Sequence, residues 1–265
     1  TNGILLNDAW CRFFREHGWL VGISIDGPAE MYNAYRVNRS GTPSHHNVIN
    51  AIQRLAKHGV EYKLLCIVNN LNSQQPQRLY QYLRSLGTPF LQFIPLVEQD
   101  EQGNLTAESV SGETWGRFLI TVFDCWVRED IGRVYVQLFD NALAAWLGET
   151  PSLCVMQSSC GFGLVVEQNG DVYSCDHYVY PEHRLGNVRR DSLAKMANGK
   201  QQRRFGLAKA AVSAECMRCD WRFACHGGCP KHRIHKSGER WHNHLCAGYK
   251  AMFSHMDPYM RFMAQ

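Results

Sequence analysis

The chain has no long apolar run. Nothing in its 265 residues approaches the stretch of about 18 to 20 uncharged apolar residues that a membrane-spanning helix needs. No basic stretch followed by an apolar core opens it, so a secretory signal is not recognisable and the cytoplasm is the default location. Internal repeats and low-complexity tracts are also lacking, which excludes a solenoid or a disordered linker as a description of the whole. A strong charge of either sign is missing: 28 Lys and Arg against 24 Asp and Glu leave +4, too mild for a nucleic-acid footprint. The run Lys231-His232-Arg233-Ile234-His235-Lys236 is basic but short, and reads as a solvated face. There is no initiator Met; the abrupt start at Thr1-Asn2-Gly3 reads as part of a longer protein.

What is present is ordinary globular material with one excess. Apolar residues make up 45% and charged residues 20%, enough to build one large domain or two ordinary ones. The excess is cysteine, 11 in all, unevenly placed: Cys11, Cys66 and Cys125 lie in the first 153 residues and the other eight in the last 112. In a reducing cytoplasm, clustered cysteines are metal ligands more often than disulfides.

The first half alternates strands and helices. Apolar runs over 19–25, 62–68 and 90–96 read as buried strands, and helical periodicity over 44–58 and 76–86 places a helix between each pair. This β-α-β-α-β order is that of a parallel sheet flanked by helices. A polar loop over 98–112 precedes two further helices over 113–128 and 136–147. Gly148-Glu149-Thr150-Pro151 breaks the pattern, so the boundary is drawn there, with domains over 1–148 and 149–265. In the second half, two short strands flank Asn169-Gly170, a strong hairpin signal. A short helix is expected over 191–197 with Asp191 as its cap, a dense loop with Gly227-Gly228 over 216–229, and a last helix over 243–262.

The eight late cysteines are spaced C-x5-C-x14-C (Cys154, Cys160, Cys175), then C-x2-C-x5-C-x3-C (Cys216, Cys219, Cys225, Cys229), then Cys246 after sixteen more residues. Eight is two sets of four, and four thiolates suit either a cubane iron–sulfur cluster or a structural zinc. The stretched second pair, with two glycines inside it, favours iron–sulfur, because tight glycine turns let backbone amides reach cluster sulfurs. Zinc remains open at this level. Cys66 and Cys125 read as buried free thiols, and Cys11, on an early helix, as similar.

The array resembles the C-terminal domain of radical S-adenosylmethionine enzymes of the SPASM type, and most of all the anaerobic sulfatase-maturating enzymes. The resemblance implies an α/β fold: the C-terminal part of a partial (β/α)6 barrel, then a cysteine-rich SPASM domain with a β-hairpin and short helices. It implies two auxiliary 4Fe–4S clusters, one on Cys154, Cys160, Cys175 and Cys229, the other on Cys216, Cys219, Cys225 and Cys246. Thr1-Asn2-Gly3 and Ser24-Ile25-Asp26-Gly27-Pro28 resemble family strand ends. By the same resemblance, Ser24 and Arg36 would contact the carboxylate end of S-adenosylmethionine and Leu96 its adenine. Asp176, directly after Cys175, would be the general base. The activity implied is conversion of a sulfatase Cys or Ser to formylglycine, with the sulfatase polypeptide as substrate and a flavodoxin or ferredoxin as electron donor. Residues alone do not separate the Cys and Ser targets. Another radical peptide-modifying enzyme, or a non-catalytic iron–sulfur module, is the alternative.

One departure stands out. The family binds its radical-generating cluster to Cys-x3-Cys-x2-Cys, and no such motif occurs in these 265 residues. The third 4Fe–4S cluster is therefore expected only in a missing N-terminal part, and the chain by itself is expected to be inactive.

Overall fold

The computed structural model describes residues 1–265. They form two compact units, one of residues 1–140 with 254–257, the other of residues 141–253 with 258–265. The elements of the first are α1 (Asp8–Glu16), β1 (Val21–Ser24), α2 (Ala29–Tyr32), α3 (His45–Lys57), β2 (Tyr62–Val68), α4 (Pro76–Arg84), β3 (Phe90–Pro95), α5 (Gly112–Glu129) and β4 (Tyr135–Val136), with α6 (Gln137–Trp146) crossing into the second.

The four strands of the first unit lie in one parallel sheet in the order β1-β2-β3-β4. Sequential parallel strands need crossovers, and α3, α4 and α5 supply them. Alternation along β2 is strict: Tyr62, Leu64, Cys66 and Val68 are buried, while Lys63, Leu65 and Ile67 are half-buried. The buried row belongs to a core that also takes Val48, Ile52 and Leu55 from α3, Leu79 and Leu83 from α4, and Phe118, Leu119 and Val122 from α5. Phe93 on β3 meets Phe118 edge to face at 5.2 Å. Each such fully buried side chain contributes about 1.5–3 kcal/mol. The opposite row, with Gly22, Ser24, Leu65 and Gln92, is more open. At the β1 edge, Ser24 N–H donates to the Thr1 carbonyl at 2.9 Å and the Thr1 amine to Gly22 O at 2.7 Å, so the first residue continues the sheet.

The second unit is built of short pieces: β5 (Val165–Val166), β6 (Asp171–Tyr173), β7 (Arg184–Asn187), α7 (Leu193–Ala197), α8 (Lys200–Ala208), α9 (Ala214–Met217), α10 (Arg222–Cys225), β8 (Arg233–Ser237), β9 (Arg240–Asn243) and α11 (Cys246–Met263). The hairpin at Asn169-Gly170 forms as expected, pairing Val165 with Tyr173 and Val166 with Val172, and Gly170 takes a left-handed φ of 87° in its turn. Four local expectations are corrected. Ser192, not Asp191, caps α7; Asp191 instead accepts from Asn187 N–H at 2.8 Å. The last helix starts at Cys246, because Asn243 ends a strand. The basic run at 231–236 is not simply a solvated face: it enters β8, which pairs with β9, and His232 is buried. Cys125 is only half-buried, whereas Cys11 and Cys66 are fully enclosed. No helix is long and apolar enough to cross a membrane.

Candidate metal centres

Each late cysteine is held by a local device. Cys154 opens a 3-10 turn over Cys154–Met156. Cys160 lies on a loop pressed against α8: its N–H donates to Gly206 O at 3.2 Å, and a Cβ on residue 206 would stand 2.2 Å from the Cys160 carbonyl oxygen. Only glycine admits so close a backbone approach. From the same helix, buried Gln202 donates to Gly161 O at 2.6 Å and Ser174 O at 3.0 Å, tying the Cys160 loop to the residue before Cys175. Ser213 caps α9 by accepting from Cys216 N–H at 3.3 Å. After Cys225 the backbone turns through three left-handed residues, His226, Gly227 and Gly228, before Cys229. Asn243 clasps that turn, donating to Gly227 O at 3.1 Å and Cys229 O at 3.4 Å, while its carbonyl oxygen accepts from Leu245 N–H at the entry to α11 and Cys246.

No disulfide joins any of the eleven cysteines. Burial pushes several of the late ones up: Cys175 and Cys246 to about 12, Cys225 and Cys229 to about 11, and Cys160 upward as well. Behind burial, the thiols act on one another in a definite pattern. Cys154 acts on Cys160; Cys154 and Cys160 act on Cys229; and Cys229 acts on Cys175. Separately, Cys216 and Cys219 act on Cys225, and Cys216 and Cys225 act on Cys246. Every one of these pairs falls within one of the two sets of four that the family resemblance implies. Cys216, Cys219, Cys225 and Cys246 line one cavity together with Trp221 and Phe253. Four soft donors round one space, with glycine-rich backbone beside them, fit a thiolate-ligated cluster. A mixed trio also occurs at this edge, with ligand atoms of Glu215, His242 and Cys246 within 4.8 Å of one another, but Glu215 is already paired with Lys250 at 2.6 Å.

Asp176 is exposed and accepts from the Cys175 thiol at 3.2 Å and from His177 N–H at 3.0 Å, so its carboxylate sits at the edge of the first set. Tyr178 is half-buried beside the same thiols, whose charges add to burial in raising its pKa, and its ring meets Phe205 at 5.2 Å. In the first unit, Ser24 ends β1, Leu96 follows β3, and Arg36, in the segment between α2 and α3, is paired with Asp26 just past β1. Ser24 and Leu96 are at the carboxyl ends of parallel strands, where open α/β sheets receive ligands, and Asp26 brings the Arg36 guanidinium to the end of β1. Sequence reasoning treated Asp26 only as a turn residue. It is 4% exposed, forms an ion pair with Arg36 and accepts from Ile67 N–H at 2.8 Å, so it fixes the guanidinium. The sequence signal was an Asp at the end of an apolar strand with an Arg ten residues on. Lys209 gave no signal in the sequence, and Arg233 was read only as part of the basic run at 231–236.

A parallel α/β sheet, followed in the chain by a unit carrying eight thiols in a ligand-like array, points to an iron–sulfur protein of the SPASM class. Residues 154–220 match the family model of the SPASM iron–sulfur cluster-binding domain. Over 99% of its length the chain is 44% identical to the serine-type anaerobic sulfatase-maturating enzyme of Bacteroides thetaiotaomicron, covering 68% of that protein. It is 32% identical to the cysteine-type anaerobic sulfatase-maturating enzyme of Clostridium perfringens, over 97% of this chain and 71% of that one. The solved structure of native anSMEcpe with bound AdoMet superimposes with a TM-score of 0.87 at 31% identity, covering all of this chain and 73% of the other; the same protein is also solved with AdoMet and a Cp18Cys peptide. The chain belongs to the family of anaerobic sulfatase-maturating enzymes.

Proposed function

We propose that the protein carrying this chain oxidises a side chain of a sulfatase polypeptide to formylglycine, with S-adenosylmethionine as the radical source. The observation that carries the reading is the array of eight thiols in the second unit, four of them lining one cavity, with the carboxylate of Asp176 directly after Cys175. In this reading Cys154, Cys160, Cys175 and Cys229 hold one 4Fe–4S cluster and Cys216, Cys219, Cys225 and Cys246 the other. Ser24, Arg36 and Leu96 receive S-adenosylmethionine, and Asp26 keeps Arg36 aimed at its carboxylate.

The reaction removes a hydrogen atom from the β-carbon of the target residue, then a proton from its thiol or hydroxyl, and one electron. When bound, S-adenosylmethionine and the clusters supply the hydrogen-abstracting radical and the electron acceptor. The chain supplies the base. Asp176 is exposed, so its oxygens are open to a substrate chain, and a positioned base contributes about 10²–10⁴-fold. Its chain neighbour Cys175 is a ligand of the first cluster in this reading, so the carboxylate that takes the proton lies beside the route of the electron. A flavodoxin or ferredoxin is the proposed donor for radical generation, which fits a reducing cytoplasm.

The target is proposed to be a serine, since identity is 44% to the serine-type relative and 32% to the cysteine-type one. Anaerobic co-expression of the protein with arylsulfatases bearing Ser or Cys at the modified position tests both steps. Mass spectrometry should find formylglycine on the Ser substrate. Modification of neither substrate would sink the proposal, and modification of Cys alone would sink its serine part.

A further inference from the structure

Lys209 and Arg233 are two cations in the second unit with no carboxylate against them. Lys209 is fully buried and Arg233 half-buried. The ammonium of Lys209 donates to three carbonyl oxygens, those of Cys154, Val155 (3.1 Å) and Gln157. An ammonium has three hydrogens, which match these three acceptors. The backbone carbonyl of Lys209 in turn accepts from Arg233 at 2.8 Å. The guanidinium also donates to Ala211 O at 3.2 Å, Gly227 O at 3.2 Å and His226 O at 3.3 Å. It lies so flat on the turn that a Cβ on Gly227 would stand 3.0 Å from Nη2.

These contacts make one continuous connection. It begins at the Cys154 turn of the first tetrad and ends on the Cys225–Cys229 turn, which carries one thiol of each tetrad. The electrostatics agree with that placement. Lys209 is within reach of Cys154, Cys160, Cys229 and Cys225, and Arg233 of Cys160, Cys229 and Cys216. A buried cation without a counter-ion is costly, and neutral thiols do not compensate it. A 4Fe–4S cluster on four thiolates carries a net charge of about −2 and would.

We propose that Lys209 and Arg233 form a cationic brace shared by the two cluster sites, positioning Cys154 against the Cys225–Cys229 turn and supplying countercharge that raises the reduction potentials of the clusters. The inference rests on the tetrads being cluster sites. A nearby positive charge favours the reduced, more negative cluster, so it makes electron acceptance from the substrate easier. Both are positioning residues; neither is placed against substrate.

The test uses the protein purified anaerobically with its clusters, alongside Lys209→Met, Arg233→Gln, Arg233→Lys and, as a control, exposed Lys195→Met. Iron and sulfide per chain are measured, and midpoint potentials are read by EPR-monitored titration. The expected result is that Lys209→Met and Arg233→Gln shift the midpoints to more negative values or lower iron and sulfide, while Lys195→Met does neither. Arg233→Lys, which keeps the charge, should fall closer to the unsubstituted protein than Arg233→Gln does. Should Lys209→Met fail to fold, the two Arg233 variants still decide. Iron, sulfide and midpoints unchanged in Lys209→Met and Arg233→Gln would overturn the brace, as would equal shifts in Arg233→Gln and Arg233→Lys. An unsubstituted protein free of iron and sulfide would overturn the cluster reading itself, and the countercharge role with it.

Discussion

Gly206→Ala concentrates the logic of the first tetrad in one methyl group. The added Cβ would sit 2.2 Å from the carbonyl oxygen of Cys160 and 3.3 Å from its carbonyl carbon. The obstacle is backbone, which cannot rotate aside, so α8 and the Cys160 loop must part by about 1 Å, with the strain of an overpacked site, about 1–3 kcal/mol. That movement stretches the 3.2 Å bond from Cys160 N–H to Gly206 O beyond hydrogen-bond range, at a further cost of about 1 kcal/mol. Alanine's better helix propensity returns about 1 kcal/mol. The net expectation is destabilisation by about 1–3 kcal/mol, a fall in the unfolding midpoint of about 2–10 °C. The same shift loosens Gln202 from Gly161 and Ser174, and so disturbs Cys175 as well as Cys160. Iron content should drop through the first tetrad. Gly163→Ala is the matched control, because a Cβ there meets nothing within 4 Å. Thermal unfolding followed by circular dichroism, with iron analysis on the same samples, reads both effects. If Gly206→Ala unfolds and binds iron like Gly163→Ala, α8 does not clamp the Cys160 loop and the account of the first tetrad is wrong.

Four further outcomes are expected. Asp176→Asn should retain its iron but lose about 10²–10⁴-fold in formylglycine formation, measured by mass spectrometry of the sulfatase; undiminished turnover would remove it as the base. Cys229→Ala and Cys246→Ala should each cost about four irons per chain, from different clusters distinguishable by EPR, and loss of the same signal in both would refute the interleaved grouping. Cys175 and Cys246, at about 12, and Cys225 and Cys229, at about 11, are protonated near neutral pH, and each metal–thiolate bond releases a proton. Cobalt binding to metal-free protein, followed by thiolate charge-transfer absorption, should therefore strengthen between about pH 6 and 8; a pH-independent affinity would show that these thiols are not the ligands. Arg36→Ala leaves Asp26 buried without its partner and should cost about 2–3 kcal/mol, less than a fully buried pair because the Arg36 side chain is 28% exposed. It should also weaken S-adenosylmethionine binding by calorimetry, an effect absent if Arg36 only stabilises the fold.

The parallel strands were legible because buried β2 and β3 read as apolar runs bounded by turn residues, and the hairpin because Asn169-Gly170 suits its turn. β8 and β9 were not, since Arg233-Ile234-His235-Lys236-Ser237 and Arg240-Trp241-His242-Asn243 show no clean alternation and draw their stability from pairing. α8 was missed for a related reason. Its polar sequence is stabilised by what it touches, Gln202 on two carbonyls and Gly206 on a third residue's backbone, and not by an apolar face. Asp26 escaped because its value lies in a partner ten residues away, and Lys209 because its partners lie more than fifty residues upstream.

Sequence alone determined the inventory: eight thiols in a ligand-like array, an Asp directly after one of them, and a parallel α/β half without a membrane span or a nucleic-acid charge. These are matters of composition and spacing, which a linear chain carries in full. Tertiary structure added the left-handed turn at His226-Gly227-Gly228 between Cys225 and Cys229, and the cavity that Cys216, Cys219, Cys225 and Cys246 line together. It also brought two cations, buried Lys209 from α8's end and half-buried Arg233 from β8, to the backbone of the turns that carry those thiols. Charges and ligands act through space, and a chain of short elements sets those distances only when it folds.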